Sequence, residues 1–137
     1  MAAVSHDALS GLCARIKADS GTARQRVERC IVDGRLAEPQ ASQRVVSSLI
    51  DLGWDVDNLA QRLHRATVVS DLLRLEMRKA LASCIRGIAL LNEQLPDNAF
   101  SDDLGSTVAI DVDFGSYDDM LSGHLDALSY FLRALRM

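Results

Sequence analysis

A group of aspartates in the C-terminal third has the side chains whose type and spacing come closest to a reactive site. Six of them fall within 18 residues: Asp102, Asp103, Asp111, Asp113, Asp118 and Asp119. Carboxylate oxygens are the ligands that hard cations prefer. A segment starting at Asp111 does not match the calcium-binding EF-hand loop, because its glycine is one position early and its twelfth residue is Ser122 and not glutamate. We therefore expect solvated aspartates with no metal or cofactor, and keep a carboxylate-metal site as the second alternative.

Cysteine and histidine are the next candidates for chemistry. The three cysteines, Cys13, Cys30 and Cys84, each lie among Leu and Ile, which predicts buried thiols that act as small hydrophobic side chains. The histidines are far apart, and no Cys-x-x-Cys or His-x-x-x-His spacing occurs, which argues against zinc. An odd number of cysteines without metal spacing suits a reducing cytoplasm. The sequence marks no catalytic residue, so we expect a protein that is not an enzyme.

Arginines offer a third kind of site. Arg74, Arg78 and Arg86 recur at helical spacing and predict a basic stripe, with Asp71 and Glu76 as local ion-pair partners. Stripes of this kind are typical of a solvated helix face. Nucleic acid is therefore not the expected partner.

A helix-turn-helix-like element around Gly53 supports the alternative function, a DNA-binding regulator. The segment 45–64 places Gly53 at the turn, with Leu52 and Trp54 beside it. However, the helix that would enter the DNA groove begins at Asp55 and Asp57, whose carboxylates repel phosphate. A formal net charge of −4 points the same way.

The distribution of charge divides the chain into two unequal parts. Residues 1–95 contain 13 Lys/Arg and 11 Asp/Glu and are slightly basic, whereas residues 96–137 contain 2 Arg and 8 Asp. Hydrophobic residues make up 48% of the chain and aromatic residues only 4%, a mixture that suits helix-on-helix packing. We predict one domain over residues 1–137, of the all-α or nearly all-α class, with five to six helices in a bundle.

One segment departs from the helical pattern. Val108, Ile110, Val112 and Phe114 alternate with smaller or acidic residues, which predicts a short strand over 107–114. An isolated strand needs a partner for its backbone groups: residues 97–105 in a local hairpin, the segment 30–36, the same strand in a second copy, or an incoming peptide. We interpret these four residues as an interaction edge for another protein or a second copy of the chain. The alternative is an extended segment packed across the bundle.

The first helical region has two interpretations. A turn at Gly21-Thr22 makes an antiparallel hairpin that sets Cys13 opposite Cys30, although two helix axes lie too far apart for a disulfide. An unbroken helix keeps a heptad spacing through residues 9, 13, 16, 20, 23, 27 and 30, but places Ser20 and Ala23 on the buried seam. We favour the hairpin because it buries larger residues and avoids a glycine inside a helix.

Capping signals set the expected limits of the remaining helices. Gly34 predicts a C-cap, with a β-hairpin around Asp33-Gly34 as the competing interpretation. Pro39 predicts a helix start, and Gly53 an interruption. A break at Thr67–Val69 with Ser70 as N-cap is favoured over one at Gly87. Ser116 is the expected N-cap of the last helix.

Taken together, these features predict a small cytoplasmic protein, which we expect to be bacterial. We interpret its preference for arginine over lysine as a compositional bias of the source and not as a recognition surface. Its expected function is non-enzymatic protein–protein interaction, of the adaptor, regulator or secretion-chaperone type. Its acidic third would steer basic partners. No apolar run is long enough for a membrane span.

Overall fold

The computed structural model describes residues 5–34, 39–66, 68–95 and 112–135, and nearly all of them are helical. Four helices occupy this part of the chain: α1 (His6–Val32), α2 (Pro39–Arg65), α3 (Asp71–Gln94) and α4 (Phe114–Ala134). The all-α class is confirmed. The predicted number of five to six helices is wrong, because α1 and α2 continue through Gly21 and Gly53, where breaks were expected.

Helix α1 is a single helix of 27 residues, so the predicted hairpin is wrong. Its buried residues are Leu9, Cys13, Ile16, Ser20, Ala23, Val27 and Cys30, the heptad series of the unbroken alternative. A repeat of this period keeps one face of a long helix against its neighbours in a bundle. Packing along the whole face outweighs the cost of about 1 kcal/mol for glycine in a helix interior.

The helix ends follow the predicted capping signals in three places. Helix α1 ends at its C-cap Asp33, and Gly34 follows with a φ of +66° and an N–H that donates to the Ile31 carbonyl. This is the predicted glycine-terminated helix end, and it rules out the competing β-hairpin. Helix α2 begins at Pro39. The break before Ser70 is confirmed, because its hydroxyl accepts the Leu73 N–H at 3.1 Å as the N-cap of α3. Gly87 lies inside α3.

The last helix begins earlier than its serine suggests, because Asp113, not Ser116, is the N-cap. The Asp113 carboxylate accepts both the Ser116 N–H, at 3.1 Å, and the Ser116 hydroxyl, at 2.7 Å. Phe114 is therefore the first residue of α4 and is 1% exposed, while Val112 is also buried. No strand occurs among the described residues, and the prediction of an exposed strand edge is wrong for Val112 and Phe114. Val108 and Ile110 lie outside the described residues.

The four helices form a bundle in which α1 and α4 each contact both of the other two helices. Helix α1 lies against α2 and α3, and α4 lies against α2 and, less extensively, α3. Within the described ranges α2 and α3 do not touch, so they are diagonal. Lys17 pairs with Asp57 across the antiparallel α1–α2 contact, and Arg44 with Asp118 across α2–α4. The core is the apolar interior of this four-helix arrangement.

Candidate functional site: an open groove between helices α1 and α2

A groove of about 340 Å³ opens to solvent on the outer side of the α1–α2 contact. Helix α1 supplies one side of it and helix α2 the other. The lining residues are Lys17, Ser20, Gly21 and Arg24 from α1, and Leu49, Ile50, Gly53, Trp54 and Asp57 from α2. This size lies at the lower end of the range for ligand pockets in proteins.

Three small residues create the floor of the groove. A Cβ built on Gly21 would meet no atom within 4 Å, and one built on Gly53 would lie 3.8 Å from Ser20 Oγ. Close helix packing therefore does not require glycine at either position. The Ser20 hydroxyl donates to the Lys17 carbonyl at 3.1 Å within its own helix, so it does not fill the space. The glycines leave open volume where larger side chains would fit.

The wall on α2 is apolar and exposed. Ile50 and Trp54 stand one helical turn apart, with 39% and 67% of their surfaces exposed, above the buried Leu49. Tryptophan is usually highly buried in folded proteins, and its exposure beside a concave surface is typical of interaction sites. Trp54 is the only tryptophan in the chain.

The two rims of the groove carry opposite charges. The α1 rim has Lys17, whose Nζ lies 3.4 Å from Asp57 Oδ1 on the α2 rim. It also has Arg24, whose Nη1 lies 3.4 Å from Glu28 Oε1 on the same helix. These side chains are between about a third and three fifths exposed, so solvent screens their pairing and it contributes little to stability. Their arrangement nevertheless gives any incoming partner a cationic side and an anionic side.

The predicted basic stripe lies on α3, away from the groove. Arg78 and Arg86 are exposed and Arg74 is half-buried. The helix-turn-helix interpretation is wrong, because α2 runs without a turn through Gly53 and leaves no separate recognition helix.

The cysteines are buried thiols, as predicted. Cys13, Cys30 and Cys84 are each at most 4% exposed. Cys13 and Cys30 lie 17 residues apart on one helix, about 25 Å at 1.5 Å per residue, so they cannot form a disulfide with each other. Burial raises the pKa of Cys13 to about 11, and burial together with the neighbouring Cys13 raises the pKa of Cys84 to about 12. Both thiols are therefore protonated and unreactive near neutral pH.

The described aspartates of the C-terminal third include two with structural partners. Hydrogen bonds from Ser116 lower the pKa of Asp113, and Asp118 pairs with Arg44 at 3.1 Å. The described residues contain no group of three or more potential metal-ligating side chains. Asp102, Asp103 and Asp111 lie outside the described residues.

The groove is not predictable from local sequence patterns, because its two sides are about 30 residues apart in the chain. Two signals of it are nevertheless present. Gly21 and Gly53 lie inside helices, where glycine is unfavourable without a reason, and Trp54 follows Gly53 directly. Local helix propensity predicts a helix break at each glycine, and with those breaks the two residues would not line one groove.

Comparison with known proteins gives no relative: the chain matches no protein-family model, no curated protein and no solved structure. None of the four described helices combines the length and the apolar character that crossing a membrane requires. The groove itself is thus the basis for a functional proposal.

Proposed function

We propose that this protein is a non-enzymatic protein–protein interaction module that docks partners in the α1–α2 groove. The observation that carries the proposal is the exposed Trp54 beside a floor made of Ser20, Gly21 and Gly53. An aromatic or large aliphatic side chain on a partner helix fits such a floor. The partner's flanking charges would be acidic toward Lys17 and basic toward Asp57.

The shape of the groove favours a protein partner over a free small molecule. Pockets for small molecules usually enclose most of the ligand surface, with a few convergent polar groups. Here one side is open to solvent along both helices, and the charged side chains stand on the rims. Helix-in-groove recognition uses an apolar anchor in the middle and charges at the edges, which is the pattern of these residues.

Covering Trp54 supplies part of the energy that specific binding needs. Covering the exposed part of Trp54 would remove on the order of 150 Å² of apolar surface from water, worth roughly 4 kcal/mol at 25 cal/mol per Å². The loss of translational and rotational freedom on association costs at least a similar amount, so further contacts along the groove must add to this gain. Buried tryptophans are common among the few residues that dominate binding energy at protein interfaces.

The test uses N-acetyltryptophanamide as a probe for the anchor side chain. We expect its titration into isotope-labelled Trp54→Ala protein to shift the backbone amide signals of Gly21 and Gly53. The Trp54→Ala chain is used because it keeps the floor and removes the indole that belongs to the groove wall. Unchanged glycine signals at saturating probe would overturn the proposal.

A matched control separates floor binding from nonspecific contact. Gly21→Leu in the Trp54→Ala chain adds a side chain to the floor at a position where a Cβ meets no atom within 4 Å. The Gly53 signal should then no longer respond to the probe, while circular dichroism remains that of a folded helical protein. Equal shifts with and without Leu at position 21 would place the probe elsewhere.

A further inference from the structure

We infer that the partner seated in the α1–α2 groove is a second copy of this chain, with Trp54 of each copy placed over Ser20 and Gly21 of the other. This inference rests on the proposed function, since it names the partner of the same groove. It requires that one face of the chain contain both a projecting side chain and the cavity that receives it.

The α1–α2 face meets that requirement. Trp54 projects from it with 67% of its surface exposed, and a Cβ added at Gly21 would have no neighbouring atom within 4 Å. Both features lie at the same height along the bundle, because Gly53 is adjacent to Ser20 across the antiparallel helix pair. In a two-fold dimer a face must complement itself, and a projection beside a cavity does so.

The charges on the rims select one orientation of the two-fold axis. An axis parallel to the helices places α1 of one copy over α2 of the other at unchanged height, so Lys17 meets Asp57 of the second copy. An axis perpendicular to the helices places α1 over α1 and brings Lys17 toward Arg24, which is repulsive. The parallel axis therefore gives opposite charges beside each of the two tryptophan contacts.

The area of this face suits a stable dimer. Helices α1 and α2 have 27 residues each, and at 1.5 Å per residue they run for about 40 Å. Two adjacent helices about 10 Å wide give this face a footprint of about 800 Å², so a dimer of the usual interface size must use most of its length.

The first test is the solution mass by light scattering across a wide concentration range. The intact chain should approach twice its 15.0 kDa mass. Trp54→Ala should raise the dissociation constant at least about 100-fold, because it removes two aromatic anchors per dimer. Leu72→Ala is the matched control: Leu72 is 66% exposed but lies on α3, so its removal should leave the dissociation constant unchanged.

Mixing two monomeric variants tests self-complementarity directly. Trp54→Ala keeps the cavity and loses the projection, whereas Gly21→Leu keeps the projection and fills the cavity. Together they should form a heterodimer at least about 10-fold tighter than either variant alone, because one tryptophan contact is restored and Leu at position 21 faces the space vacated at position 54. Association of both variants only when mixed also establishes that each is folded.

Three results would overturn the inference: an intact chain that stays monomeric, a dimer insensitive to Trp54→Ala, or no heterodimer on mixing. None of these decides the proposed function by itself. If the chain is monomeric but N-acetyltryptophanamide still shifts Gly21 and Gly53, the groove docks a different protein. If the probe also fails, both proposals fail.

Discussion

Ser20 and Gly53 face each other across the α1–α2 contact, and a Cβ built on Gly53 would lie 3.8 Å from Ser20 Oγ. The two residues therefore lie at the same height on neighbouring helices, and Trp54, which follows Gly53, lines the same groove as Gly21. The side chains of one serine and two glycines are too short to fill the space between the two helices on this side. The groove is a direct consequence of these small residues.

Replacing Gly21 with alanine should stabilise the folded chain. Alanine is favoured over glycine in helix interiors by about 1 kcal/mol, and its methyl group at position 21 meets no atom within 4 Å. We expect a gain of about 0.5–1 kcal/mol in the free energy of unfolding by urea, measured in the Trp54→Ala chain so that docking does not contribute.

Gly87→Ala is the matched control for that measurement. A methyl group at position 87 would overlap the Met120 sulfur and lie 3.5 Å from His124 Nε2, so the same gain in helix propensity is opposed by a clash at the α3–α4 contact. The stabilisation should be smaller than at Gly21 or reversed in sign. Equal gains at both positions would mean that Met120 moves aside without cost.

Gly21 also shows why the hairpin predicted from the sequence is wrong. The heptad series from Leu9 to Cys30 predicts the unbroken helix that the structure has, whereas the local propensity of Gly21 favours a turn. Packing of the entire α1 face against α2 and α3 decides the outcome, and that long-range contribution is not visible in a local window. Where the signal is local, as at Gly34, Pro39 and Ser70, the predicted helix ends are confirmed.

The segment before α4 shows how a short alternating pattern can mislead. Val112 and Phe114 alternate with Asp113 as in a strand, yet the Asp113 carboxylate caps the helix, and both apolar side chains are buried in the core. Asp113→Ala should therefore lower the urea concentration at the midpoint of unfolding, because the Ser116 N–H loses its acceptor, whereas Asp119→Ala should have little effect. Circular dichroism during urea denaturation measures the difference, and equal midpoints for the two variants would contradict the cap.

His124 should make stability depend on pH. Burial at the α3–α4 contact lowers its pKa below the ordinary value of 6.5, so the unfolded chain binds a proton more readily than the folded one. The free energy of unfolding is then fully retained above about 6.5 and falls as the pH drops below it. Between pH 7.5 and 5.5 the intact chain should lose more stability than His124→Gln, and identical losses would contradict the role of His124.

The buried thiols should resist alkylation in the folded protein. With pKa values raised to about 11 for Cys13 and about 12 for Cys84, almost no thiolate exists near neutral pH. We expect iodoacetamide to modify these two residues slowly in native protein and rapidly in urea, as measured by mass spectrometry of peptides. Fast native modification of either would indicate that the α1–α3 contact opens.

The opposite charges of Lys17 and Asp57 should favour docking, and exchanging the two charges should preserve that effect. Lys17→Glu places a carboxylate beside Asp57 and should weaken self-association about 10-fold, whereas the Lys17→Glu/Asp57→Lys double variant restores opposite charges and should recover most of it. Sedimentation velocity at low salt gives the dissociation constants, and the difference should shrink as salt is raised. If the double variant associates no better than Lys17→Glu, the two rims do not face each other in the dimer.

The candidate site is less predictable than the fold for a physical reason. A groove depends on which residues of two helices lie at the same height, and here those residues, such as Ser20 and Gly53, are about 30 positions apart in the chain. Composition and periodicity report which face of a helix is buried, but not which residues of two different helices meet. An exposed tryptophan next to a helical glycine is the part of this site that the sequence does contain.

The fluorescence emission of Trp54, the only tryptophan in the chain, tests docking in the groove most directly as the protein is concentrated. Self-association through Trp54 predicts a shift to shorter wavelength and protection from iodide quenching with increasing concentration. Gly21→Leu protein should keep the emission of an exposed indole throughout. An emission maximum and quenching constant that are the same at all concentrations, in both proteins, would contradict the docking of Trp54 in the groove of a second copy.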